Sequence, residues 1–176
     1  MADLASQQQI NTNGNDPTFM TVLPAGKITQ INISDGGTPK LPVLEAQITP
    51  NGLIGDRQRN LKYHGGPERA VCLWSAEIIQ TLQNEGHPID SGSAGENITI
   101  TGLTWEKLIP DMQLQLGDTV RLLITDYAAP CRHISRYFCD RRYSRISQKH
   151  NPGTSRLYAR VLAPGTVNVG NNVQIV

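Results

Sequence analysis

Residues 69–86 read RAVCLWSAEIIQTLQNEG. The nearly unbroken apolar run Val71–Trp74 reads as a strand. Ser75 then offers an N-cap hydroxyl, and Glu77 puts an acid in the first helical turn. Ile78, Ile79 and Leu82 form a stripe at helical spacing, and Gly86 supplies a stop. A strand passing into a helix with no loop between them is expected, and this is the one well-marked helix of the chain. A weaker helical stretch is expected from about residue 134 to residue 139. The other regular segments are short and β-like. KITQINIS (27–34) and VLEAQIT (43–49) alternate loosely, and NITIT (97–101) sets Ile98 and Ile100 between polar residues. VRLLIT (120–125), LYARVLA (157–163) and VQIV (173–176) continue the series. Seven short strands punctuated by Gly, Pro, Asn and Asp predict a barrel or sandwich rather than a parallel α/β sheet.

With 176 residues, the chain fits one domain able to bury a core without metal or disulfide staples. Residues 1–22 are polar and poor in anything buriable, so a tail is expected there, with one domain over 23–176. A net charge of +1 with 18% charged residues points to neither nucleic acid nor a membrane surface as a partner. Three cysteines, an odd number with no C-x-x-C pair, argue for a reducing compartment. No basic leader with an apolar run is present, and no apolar stretch approaches the ~18 residues of a membrane span. A cytoplasmic protein is expected, of a mainly β class.

Charge is uneven along the chain. Of the 16 Lys and Arg residues, half fall between Arg132 and Arg160, with Asp140 the one acid among them. This segment reads either as a solvated basic loop or as an anion site. It follows Cys131, which sits in DYAAPCRHIS (126–135) between Pro130 and the pair Arg132 and His133. The thiol lies at the end of the strand VRLLIT, and the flanking cations favour its thiolate, which is both a nucleophile and a soft-metal ligand. Cys72, between Val71 and Leu73, reads as core packing, and Cys139 as a packing or surface thiol.

Three glycine-bearing pieces place further candidates at element edges. NGLIGDRQ carries Arg57, YHGGPERAV carries His64, Gly65, Gly66 and Arg69, and SAGENITITGL carries Gly95, Glu96 and Asn97. A zinc set from Cys131, His133, Cys139 and His150 matches no closed structural spacing. A Cys-His nucleophile pair with His64, His87 or His133 as base is a further alternative.

Taken in order, GDRQRNLKYHGGPERAVCLWSAE, GENITITGL, LGDTVRLLIT, APCRHI and RLYARVLAPGTVNVGNNVQIV resemble the MOSC domains, the molybdenum cofactor sulfurase C-terminal family. The similarity covers roughly residues 26–176 and is to the bacterial hydroxylaminopurine-detoxifying branch. It implies a closed or partly closed β-barrel with a few short peripheral helices. It also implies molybdenum cofactor (molybdopterin) bound with Cys131 as the molybdenum ligand. Arg57, His64, Gly65, Gly66, Arg69, Gly95, Glu96, Asn97 and Arg132 are then expected around the cofactor, with arginine and backbone N–H donors suited to its phosphate. Small N-hydroxylated substrates and an external reductase are the implied partners. Other members imply a different role, a sulfur carrier that accepts a persulfide on Cys131 from a donor protein. A non-enzymatic module holding an anionic partner on the basic loop is the third reading. The cysteine's context departs from the family's common PRxPCWKL, with Ala128 standing where an Arg is frequent.

Overall fold

A computed structural model describes residues 25–58 and 65–176. The expected tail at 1–22 and His64 lie outside these residues. In β1 (Gly26–Ile33) Ile28 and Ile31 are buried, and a bulge between Ile28 and Gln30 shifts the alternation by one, so that Ile31 takes the inner face. The chain continues through β2 (Leu41–Val43), β3 (Glu45–Thr49), β4 (Gly52–Leu53) and β5 (Val71–Ser75). After α1 (Ala76–Asn84) come β6 (Ile98–Thr101), β7 (Gln113–Leu116), β8 (Val120–Ala128), β9 (Arg156–Ala163), β10 (Gly165–Asn168) and β11 (Asn172–Ile175).

The strands hydrogen-bond in the order β11-β7-β8-β9-β5-β6-β1, and β1 pairs back onto β11 through Gly26↔Val173 and Lys27↔Asn172. This closes a seven-stranded barrel, the mainly β fold expected from the sequence, with β2 attached outside β1 and a small sheet β10-β3-β4 beside it. The segment that announced the fold behaves as its residues predict. All five residues of β5 are buried, and Ser75 Oγ accepts from the backbone N–H groups of Glu77 (3.1 Å) and Ile78 (3.3 Å). Ile79 and Leu82 face the core, while β5 and β6 pair in parallel because α1 provides the crossover between them. No helix among the described residues is long and apolar enough to cross a membrane.

The expected helix at 134–139 is instead a 3₁₀ turn, Arg132–Tyr137, followed by two more at Cys139–Arg141 and Tyr143–Ile146. Phe138 is extended (φ −126, ψ 135), and Asp140 and Arg141 are left-handed (φ 52 and 56), so the turns cannot merge into one helix. Ile134, Phe138 and Ile146 anchor the excursion in the core.

The loop that returns from α1 to β6 is stapled to the β1–β2 connection. Gly92, at φ +87, lies so close to Lys40 that a Cβ would collide with the Lys40 carbonyl oxygen. The Lys40 N–H donates to Gly92 O at 2.9 Å, and the Gly92 N–H donates to Glu96 Oε1. Glu96 is fully buried and its Oε2 has no partner among the described residues. Burial pushes its pKa from 4.5 up to about 7.

Two outcomes follow. Gly92→Ala combines a left-handed strain with a backbone collision, and should lower stability by about 3 kcal/mol in chemical denaturation. Folding binds a proton at Glu96 between 4.5, where an exposed glutamate releases it, and about 7, where the buried one does. Stability from this group is therefore complete below that window and declines as pH rises through it. Glu96→Gln keeps the acceptor for Gly92. In melting curves its gain over the native chain should grow from about pH 5 to about pH 8, and a gain independent of pH would contradict the assignment.

Candidate functional site

Where β8 ends, Ala128 is buried against Cys72 and Tyr158. Ala129 and Pro130 then carry the chain off the sheet, and Cys131 caps the turn Arg132–Tyr137 in extended conformation (φ −132, ψ 170). Its half-buried thiol lines a cavity of about 770 Å³. Strand register builds the floor. Cys72 pairs with Tyr158 across β5–β9, and Asp126 pairs with Tyr158 across β8–β9, so the three stand abreast and all face the cavity. Exposure rises along that row, from 5% at Cys72 and 7% at Tyr158 to an exposed Asp126. Burial pushes the Cys72 thiol up to about 11 and the Tyr158 hydroxyl up to about 12, so both stay neutral at physiological pH.

Among the described residues, five cations enter the wall: Lys40, Arg57, Arg69, Arg136 and Arg156. Lys40 pairs with Asp56, whose side chain is sealed from solvent and also accepts from Ser34 N and Asn97 Nδ2, each at 2.9 Å. Arg57 donates to Asp35 Oδ1 (2.7 Å) and Asp35 O (2.8 Å) in a mostly exposed pair. Arg69 lies over the Tyr158 ring, 5.3 Å from its centroid. Arg136 donates to Thr38 O and to the Tyr137 hydroxyl (2.7 Å). Arg156 is buried, donates through Nη1 to Ala94 O, and has an Nε with no partner among the described residues. Asp126 is the sole carboxylate of the wall among the described residues.

Of the residues expected from the sequence, Cys131, Arg57, Gly65, Arg69, Gly95 and Asn97 come together on this wall. Three others do not. Gly66 caps the 3₁₀ turn Pro67–Arg69, Glu96 is sealed beneath the wall by its bond to Gly92, and Arg132 is exposed at the start of its turn, off the wall. The basic segment also divides. Arg145 makes a forked pair with Glu85 (2.9 and 2.6 Å), and Arg160 pairs with Glu68 at 3.1 Å. Only Arg136 and Arg156 of the eight reach the wall. Lys40, Asp126 and Tyr158 carry no sequence signal as site residues, and Arg136 and Arg156 are marked only as members of the basic segment 132–160. The one local signal was an arginine opening the apolar strand RLYARVLA, a position that calls for a buried polar partner. Cys139 donates its thiol to Gly86 O (3.0 Å) and its N–H to His87 Nδ1 (2.9 Å), a packing role.

Residues 60–174 match the MOSC domain family. The chain is 30% identical over 122 residues to YflK of Bacillus subtilis, an alignment covering 69% of this chain and 54% of that protein. It is 26% identical over 141 residues to YiiM of Escherichia coli, covering 75% and 59%. The chain thus spans a little over half the length of these curated relatives. The crystal structure of YiiM from Geobacillus stearothermophilus aligns with a TM-score of 0.65 at 21% identity, over 86% of this chain and 75% of that one, and shares its fold. Because the family match takes in most of the chain and the barrel is the one shared with YiiM, the chain belongs to the MOSC domain family.

Proposed function

We propose that this MOSC protein binds molybdenum cofactor with Cys131 as the metal ligand and reduces small N-hydroxylated compounds. The observation that carries the reading is one cavity that unites a half-buried, reachable thiol with five cationic side chains. The donor set suits the group. A thiolate matches a soft metal, and Arg156, with a buried Nε still lacking a partner, offers a spare donor to an anionic phosphate. Lys40 and Arg69 add charge, and Gly95, at φ +87, leaves room beside Arg156 that a side chain would restrict. When bound, the cofactor supplies oxygen-atom transfer at the metal.

The reaction takes R–NHOH, two electrons and two protons to R–NH₂ and water. The electrons come from an external reductase, a flavin or iron-sulfur protein. The chain's own part is binding and proton supply. His133, an exposed residue on the wall with Cys131, can deliver a proton to the departing oxygen.

Protein produced in a cofactor-competent host should carry about one molybdenum per chain, and Cys131→Ser should lose most of it without unfolding. Folded wild type with no molybdenum overturns the reading. A Cys131 adduct of roughly 32 Da after treatment with a cysteine desulfurase would then favour the sulfur carrier, for which a reachable thiol is also the requirement. Thiol reactivity gives a separate check. At about pH 8 an alkylating reagent should modify Cys131 and Cys139 in the native protein, and Cys72 only after unfolding.

A further inference from the structure

We infer that Asp126 is the specificity-determining residue of the cavity, the acceptor that favours N-hydroxylated compounds bearing further N–H donors beside the hydroxylated nitrogen. The inference rests on the reductive reading above, but its observations are separate. In a wall with five cations, a purely structural carboxylate would be expected to pair with one of them. Asp126 forms no ion pair among the described residues. Its one bond is local: Oδ1 accepts from the Tyr127 N–H at 2.8 Å, which orients the carboxylate and leaves Oδ2 open.

Its placement is built by the strands. The β8–β9 register shifts between Ile124 and Asp126, and the shift sets Asp126 opposite Tyr158 on the face that holds the cavity. Irregularities of this kind re-aim side chains next to sites. Asp126 is the exposed end of the row that begins at buried Cys72, so it meets a ligand at the mouth while Cys131 lines the same space. The surrounding cations favour anions and repel a bare cation. A neutral or weakly basic amidine edge, as in an amidoxime or a hydroxylaminopurine, can donate to the open carboxylate oxygen, whereas an alkylhydroxylamine has no second nitrogen to offer.

The test compares benzamidoxime with N-cyclohexylhydroxylamine as substrates of the loaded protein, and measures binding of benzamidoxime and adenine, both neutral at about pH 7, to the metal-free protein by calorimetry. Asp126→Asn should lower the ratio of the two kcat/KM values, benzamidoxime over N-cyclohexylhydroxylamine, by roughly tenfold. It should weaken adenine and benzamidoxime binding by a similar factor, with Asp126→Glu recovering part of both. An unchanged ratio, or binding of both compounds to the metal-free protein unaffected by Asp126→Asn, overturns the inference. If the wild type reduces neither compound the reductive reading fails, and the binding measurement alone then decides whether Asp126 is the N–H acceptor. Asp126 is exposed, so circular dichroism should show both variants folded.

Discussion

One buried carboxylate holds the cavity together. Asp56 accepts from the Ser34 N–H just past β1, from Lys40 in the β1–β2 connection and from Asn97 at the threshold of β6. Asn97 passes the restraint on, because its Oδ1 accepts from the Cys72 N–H at 3.1 Å and so fixes the start of β5. Three segments distant in sequence are thus tied to one charge that water does not reach. Removing a single partner from such a set strands a charge or a donor in the interior, and this costs far more than the intact set contributes. The cavity's shape is therefore inseparable from the barrel's own stability.

The same arrangement determines where recognition can arise. Most cations of the wall already have protein partners: Lys40 holds Asp56, Arg57 holds Asp35 and Arg136 holds the Thr38 carbonyl. They are preorganised, so a bound anion meets their field without an ordering cost. Directional selectivity falls to the groups with unused capacity. Among the described residues these include the Arg156 Nε and the second oxygen of Asp126.

The sequence carried most of the barrel and part of the site, and the division has a physical cause. Alternation marked β1 and β6, and an unbroken apolar run marked β5, because burial acts on neighbouring positions. β10 escaped since GTVN buries only Val167, and QLQL in β7 offers just Leu114 and Leu116. Cys131 was legible from its immediate neighbours. Its cationic company was not. Arg145, Arg156 and Arg160 find their partners 60, 62 and 92 positions away, so a local tally of charge could not tell which arginines would be consumed elsewhere. Glu96 and Asn97 looked equivalent in GENITITGL, yet one is committed beneath the wall and the other lines it.

Barrel closure has a consequence for how such a unit can be deployed. Gly26 and Lys27, near the beginning of the described chain, pair with Val173 and Asn172 near its end. The polypeptide therefore enters and leaves the barrel at the same seam, on adjacent strands. A unit with that geometry can be spliced into the surface loop of another protein, or flanked on both sides by further domains, without rerouting either neighbour. The cavity is walled by β5, β8 and β9 together with loop residues, so such a graft would place its strain on the seam and not on the strands that frame Cys131.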